Sequence, residues 1–84
     1  MQTNNSQVLE MPVKTYGLGE IAKAYKQGCE AFRKYCLRYG HILSINDYEE
    51  NGIPFRNYLI LIDGFKASIH MRKGEVREFG YDAM

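Results

Sequence analysis

The stretch LGEIAKAYKQGCEAFRKYCLRY, residues 18–39, decides the fold. Read as one helix, it places Ile21, Tyr25, Gly28, Phe32, Tyr35, Cys36 and Tyr39 on a single stripe, the spacing of an amphipathic element that covers a sheet. Read as two short helices, it turns near Lys26 to Gly28. The continuous helix is the expectation. Glycine inside a helix costs about 1 kcal/mol relative to alanine, but on the apolar stripe it permits close approach to a sheet. Gly17 suits the N-cap, with Glu20 three residues on reaching back, and Gly40 sits where a left-handed residue would end the helix. The polar face carries Lys23, Lys26, Glu30, Arg33 and Lys34, with Glu30 four residues from a lysine on either side.

Downstream of His41 the hydrophobic period changes to two, and Asn51-Gly52, Asp63-Gly64 and Lys73-Gly74 mark three turns. Two-residue loops of this kind match the twist of antiparallel strands. They predict a meander of four strands, about 42–48, 55–62, 65–71 and 75–79. A loop at Asp63-Gly64 pairs Ile62 with Phe65, Ile60 with Ala67 and Tyr58 with Ile69. The loop at Asn51-Gly52 pairs Tyr48 with Phe55, Asp47 with Arg56, Ile45 with Tyr58 and Leu43 with Ile60. The two registers agree on one apolar face for the helix to cover. Simple pairing across Lys73-Gly74 sets Ile69 opposite Glu78 and sends Phe79 to the other face, so a bulge is expected there.

The predicted class is α+β, one amphipathic helix packed on a four-stranded antiparallel meander. Residues 1–16 read as an N-terminal arm and residues 17–84 as a single domain. Val8, Leu9, Met11 and Val13 give the arm apolar character, while Pro12 argues against a central strand. A chain of 84 residues has a small core, so leftover apolar surface is a candidate partner site.

A formal charge of +1 excludes a strongly basic nucleic-acid coat and an acidic DNA mimic. The opening residues lack the basic start and apolar run of a signal peptide, and no stretch approaches the roughly 20 apolar residues of a membrane span. A cytoplasmic protein that does not contact membrane is the expectation. Cys29 and Cys36, seven apart on a helix, would lie roughly 10 Å from each other, too far for a disulfide, so both are expected as thiols.

No catalytic constellation stands out. Cys29, Cys36, His41 and His70 are zinc-ligand types, but their spacing lacks the close pair that structural zinc sites use, so no metal or other cofactor is expected. Cys36 falls on the apolar stripe as a core thiol and Cys29 lies at its margin. Ser68 and His70 share a strand face with no acid placed to orient the imidazole. Asp47, Glu49 and Glu50 precede a turn that explains their polarity, and Asp47 has Arg56 opposite.

The second sheet face, with Ile42, Ser44, Leu59, Leu61, Lys66, Ser68 and His70, together with Tyr48, Phe55 and Phe79, is too apolar to stand bare and too polar for a full core. Leu59, Leu61, His70 and Phe79 are the interface candidates, and the expected occupant is a protein partner, the arm, or a second copy in a homodimer. The expected function is a small non-catalytic binding or regulatory module.

A competing class comes from Leu18-Gly19-Glu20-Ile21-Ala22-Lys23-Ala24-Tyr25 and Phe32-Arg33-Lys34-Tyr35. These segments resemble the first and second helices of bacterial helix-turn-helix DNA-binding proteins, with small Ala22 where the helices approach. The resemblance covers about a fifth of the chain within residues 18–35. It implies a DNA-binding regulator using residues 18–38, with Glu30, Arg33 and Lys34 facing nucleic acid.

Overall fold

The computed structural model describes residues 19–84. The arm and the Gly17 cap lie outside the described residues. The expected α+β architecture is present, but the continuous helix is not. Two helices, α1 (Glu20–Gln27) and α2 (Cys29–Tyr39), precede the strands β1 (His41–Glu50), β2 (Ile53–Ile62), β3 (Phe65–Arg72) and β4 (Glu75–Ala83).

The break is at Gly28, whose φ of 114° and ψ of 177° are open to glycine and strained for other residues. Its N–H donates to the Tyr25 carbonyl and closes α1, while its own carbonyl accepts from Phe32 N–H and opens α2. The stripe read as one face is therefore folded back on itself. Tyr25 meets Phe32 edge-on at 5.7 Å between ring centroids. Both rings also pack on Phe79 of β4, at 5.1 and 5.3 Å.

The strands form an antiparallel sheet in the order β1-β2-β3-β4. All three connections carry positive φ at both loop residues, Asn51-Gly52, Asp63-Gly64 and Lys73-Gly74, the mirror-image turn that suits the twist of paired strands. The pairings of Ile62 with Phe65, Ile60 with Ala67, and Tyr58 with both Ile69 and Ile45 are present as expected. A bulge between Ile42 and Ser44 shifts the end of β1, so Ile42 and not Leu43 stands opposite Ile60. A second irregularity makes Arg77 the extra residue, since Met71 pairs with Val76 but His70 with Glu78.

The core lies between the helices and one sheet face. Ile21, Phe32, Cys36, Ile60, Ala67 and Ile69 are each 0% exposed. Gly40, joining α2 to β1, is extended, with φ of −89°, so it is not the left-handed cap expected there. A Cβ at this position would stand 2.4 Å from Ile60 Cγ2 and 2.6 Å from the Cys36 carbonyl oxygen. Gly40 is set by close approach of the helix end to the sheet.

Helix α2, with 11 residues rising about 1.5 Å each, is roughly half as long as ten-residue β2 at about 3.3 Å each. The helices cannot cover the whole face. Helix α2 meets β1, yet all ten residues of that strand are exposed.

Candidate contact surface

Strand β1 is the edge of the sheet next to β2. Its side chains Ile42, Leu43, Ile45 and Tyr48 are 39%, 46%, 47% and 41% exposed. Ile42 and Ile45 stand opposite Ile60 and Tyr58 on the helix-side face, whereas Ser44, Asn46 and Tyr48 stand opposite Leu59, Asn57 and Phe55 on the other. Among the described residues this edge has β2 as its one neighbour, with Ile42 and Ile45 exposed on one side and Tyr48 on the other. The first strand of a meander has only one sequential neighbour, and alternation alone does not show that its inner residues lack a helix above them. That is why Ile45 looked like core in the sequence.

The interface candidates separate. Leu59 and Leu61 are half-buried and His70 is exposed, on the face away from the helices. Phe79 is not with them. The extra residue Arg77 turns Phe79 to the helix-side face, where it packs on Phe32 and Tyr25. The same shift sets Glu78 opposite His70 in the strand register. Among the described residues no side-chain hydrogen bond joins Ser68, His70 and Glu78. Tyr48 and Phe55 stack at 5.0 Å with planes 6° apart and extend this face toward β1.

Between Arg33 of α2 and the sheet lies an open groove of about 590 Å³, lined also by Asp47, Phe55, Arg56, Tyr58 and Met71. Its cations are already occupied. Arg56 donates from Nε and Nη2 to Asp47 at 2.6 and 2.8 Å, a two-pronged pair, and from Nη1 to Tyr58 at 3.3 Å. The guanidinium holds the Asp47 carboxyl below the usual carboxylate range. Arg33 donates to Glu30.

The nucleic-acid candidates therefore split as well. Glu30 neutralises Arg33, and Lys34 stands exposed beyond the pair. Arg38, one turn past Lys34 and also exposed, shares its stripe; the i, i+4 spacing was a readable signal. Glu20–Tyr39 holds five cations and two carboxylates, a formal +3, while His41–Met84 holds five cations and seven carboxylates, a formal −2. The charge is divided between helical layer and sheet.

Both thiols are free. Cys36 is fully buried, which pushes its thiol up to about 12 and leaves no thiolate at neutral pH. Cys29 is half-buried beside the Gly28 break. Among the described residues, no three His, Cys, Asp or Glu side chains converge as a metal site, and no helix is long and apolar enough to cross a membrane. Comparison with protein-family models, curated proteins and solved structures returns no significant match.

Proposed function

We propose that this chain is a small non-catalytic binding or regulatory module of the cytoplasm, acting by protein–protein contact. The contact surface is centred on β1 and continues onto the second sheet face at Leu59 and Leu61. The observation that carries the reading is β1 itself, which among the described residues pairs with β2 alone and holds four large apolar side chains in solvent. An edge of this kind takes up another strand through backbone hydrogen bonds, and the alternating side chains give the pairing its selectivity. Two free thiols suit a reducing compartment.

The test is retention of proteins from the host extract by the immobilised full chain. Ile45→Lys and Leu61→Lys change exposed or half-exposed side chains and should leave the melting temperature near that of the parent while removing the retained protein. Retention unchanged in both variants would refute the surface.

A second reading, DNA binding by the helix pair, draws on the Gly28 break and the +3 helical layer. It predicts a mobility shift that weakens with salt and with Lys34→Ala plus Arg38→Ala, because exposed cations act through phosphate neutralisation. The sheet reading ranks first because Glu30 already occupies Arg33.

A further inference from the structure

The geometry points to a second copy of this chain as the partner of β1, paired antiparallel to it with Ile45 opposite Ile45 across a two-fold axis. This inference rests on the contact reading above and adds the identity of the occupant and its register.

The backbone supplies the first reason. A two-residue loop makes Glu50 and Ile53 the hydrogen-bonded pair that closes the first hairpin. Tyr48, Asn46 and Ser44 then turn their N–H and C=O groups toward β2, and Glu49, Asp47 and Ile45 turn theirs outward. The same alternation requires Pro54 to present its carbonyl toward β3, where it accepts from Lys73 N–H at 2.9 Å. Ile45 therefore has an outward donor and acceptor, the set that an antiparallel neighbour needs.

Charge selects both partner and axis. Glu49 and Glu50 make one end of β1 acidic, Asp47 being paired with Arg56, while exposed Arg38 stands in the last turn of α2 just before the other end. Antiparallel pairing of two copies carries each acidic end toward the partner's Arg38, and a parallel arrangement would not. Of the outward-turned residues, an axis at Asp47 or Glu49 sets two carboxylates face to face. Ile45 sets two apolar side chains together and brings Ser44 opposite Asn46 on the other face.

Edge β4 does not compete. Its apolar residues Val76, Phe79 and Tyr81 are half-buried against the core, and its exposed positions include Glu75, Arg77, Glu78 and Asp82. An axis perpendicular to the sheet would join the two meanders into one sheet of eight strands with both helix pairs on the same face. Ile42 and Ile45 of the two copies would then form one apolar floor between those helix pairs.

The experiment is sedimentation equilibrium of the full chain, mass 9.7 kDa, with two sets of variants. The parent should sediment with the mass of two chains, and Ile45→Lys should raise the dimer dissociation constant by at least about tenfold while keeping the parent's circular dichroism spectrum and, at concentrations where both are monomeric, its melting temperature. In a Cys29→Ser background, Ile45→Cys should form an intermolecular disulfide under mild oxidation, because a hydrogen-bonded pair holds its Cα atoms about 5.5 Å apart. Ser44→Cys should not, since Ser44 faces Asn46 and lies too far from its own copy. A dimer that Ile45→Lys leaves intact, or that cross-links through Ser44→Cys and not Ile45→Cys, overturns the pairing. So does a monomeric parent. If that monomer shows slow amide exchange at Ile45 and Asp47, residues 1–18 of the same chain are the occupant. A monomer that loses retained protein on Ile45→Lys refutes the second copy alone, and unchanged retention refutes the contact reading with it.

Discussion

Gly28→Ala tests the broken helix through the sign of its effect. If residues 20–39 preferred one continuous helix, alanine would replace glycine in its interior and stabilise the fold by about 1 kcal/mol. With φ at 114° and ψ at 177°, alanine must instead adopt a backbone conformation that costs on the order of 1–3 kcal/mol. Among the described residues no atom lies within 4 Å of the Cβ it would add, so the penalty is conformational and not a clash. For a domain of this size 1 kcal/mol moves the melting temperature by roughly 4–8 °C. The expected outcome is a fall of about 4–24 °C in thermal melts followed by circular dichroism, with an unchanged urea m-value showing that the same surface is buried. A rise of several degrees with a gain in helical signal would refute the break and restore the single helix. A straight continuation of α1 would carry Tyr25 away from Phe32, so that result would also dismantle the aromatic cluster they form with Phe79.

Phe32→Ala should cost about 3–5 kcal/mol, against a total near 4–13 kcal/mol for 84 residues, and a urea midpoint equal to the parent's would refute the core assignment. Lys73→Asn should stabilise by up to about 1 kcal/mol, because φ of 54° disfavours lysine more than asparagine while the backbone bond to Pro54 is kept; a fall in melting temperature would contradict this. Iodoacetamide at neutral pH should modify Cys29 in the native chain and reach Cys36 only in denaturant, read by mass spectrometry; native labelling of Cys36 would show that its burial is wrong. The Tyr35 hydroxyl donates to Asp63 at 2.6 Å, and this bond, with burial, pushes the phenol from 10.0 up to about 12. Because the folded value is raised, its contribution is fully present below pH 10 and lost as pH rises from 10 to about 12. The phenolate absorbance of the parent minus that of Tyr35→Phe should rise near pH 12, and a rise near pH 10 would refute the bond.

The sheet was legible because its instructions are local. Asn51-Gly52, Asp63-Gly64 and Lys73-Gly74 each dictate a turn whose loop length fixes the flanking register, and Tyr58 and Ile60 satisfy two registers at once. The helix break was not legible because Gly28 has two opposite uses. In a helix it is a tolerable small residue on the apolar stripe, and in a non-helical conformation it releases α2 to fold back over Tyr25. Only the second arrangement lets Tyr25 and Phe32 reach Phe79 together, a contact 47 positions from Phe32 that no local window contains. The bulge beside the Lys73-Gly74 turn was legible, because simple pairing there mismatches the faces. Val76 and Phe79 are three apart, so one extra residue is needed for both to face the core, and once it is inserted Glu78 arrives beside His70.

The candidate surface depended on a length that sequence patterning does not encode. Ile45 and Tyr58 form a cross-strand pair on one face, and alternation marks both as inward. Tyr58 is half-buried against the core and Ile45 is 47% exposed, because the 19 residues of two short helices pack chiefly on the later strands and leave the first strand exposed along its length. A single helix of the same length would extend roughly 30 Å and would be long enough to run beside β1. Folding it at Gly28 thickens the layer over β3 and β4, where Tyr25, Phe32, Phe79 and Tyr81 collect, and uncovers the opposite edge. The glycine that completes the core therefore also creates the exposed strand. Gly28→Ala should disturb β1-mediated association indirectly, through fold stability, whereas Ile45→Lys should abolish it with the core intact. Loss of association in Ile45→Lys with the melting temperature of the dilute, monomeric parent, beside a parallel loss of both in Gly28→Ala, would separate the surface from the scaffold that exposes it.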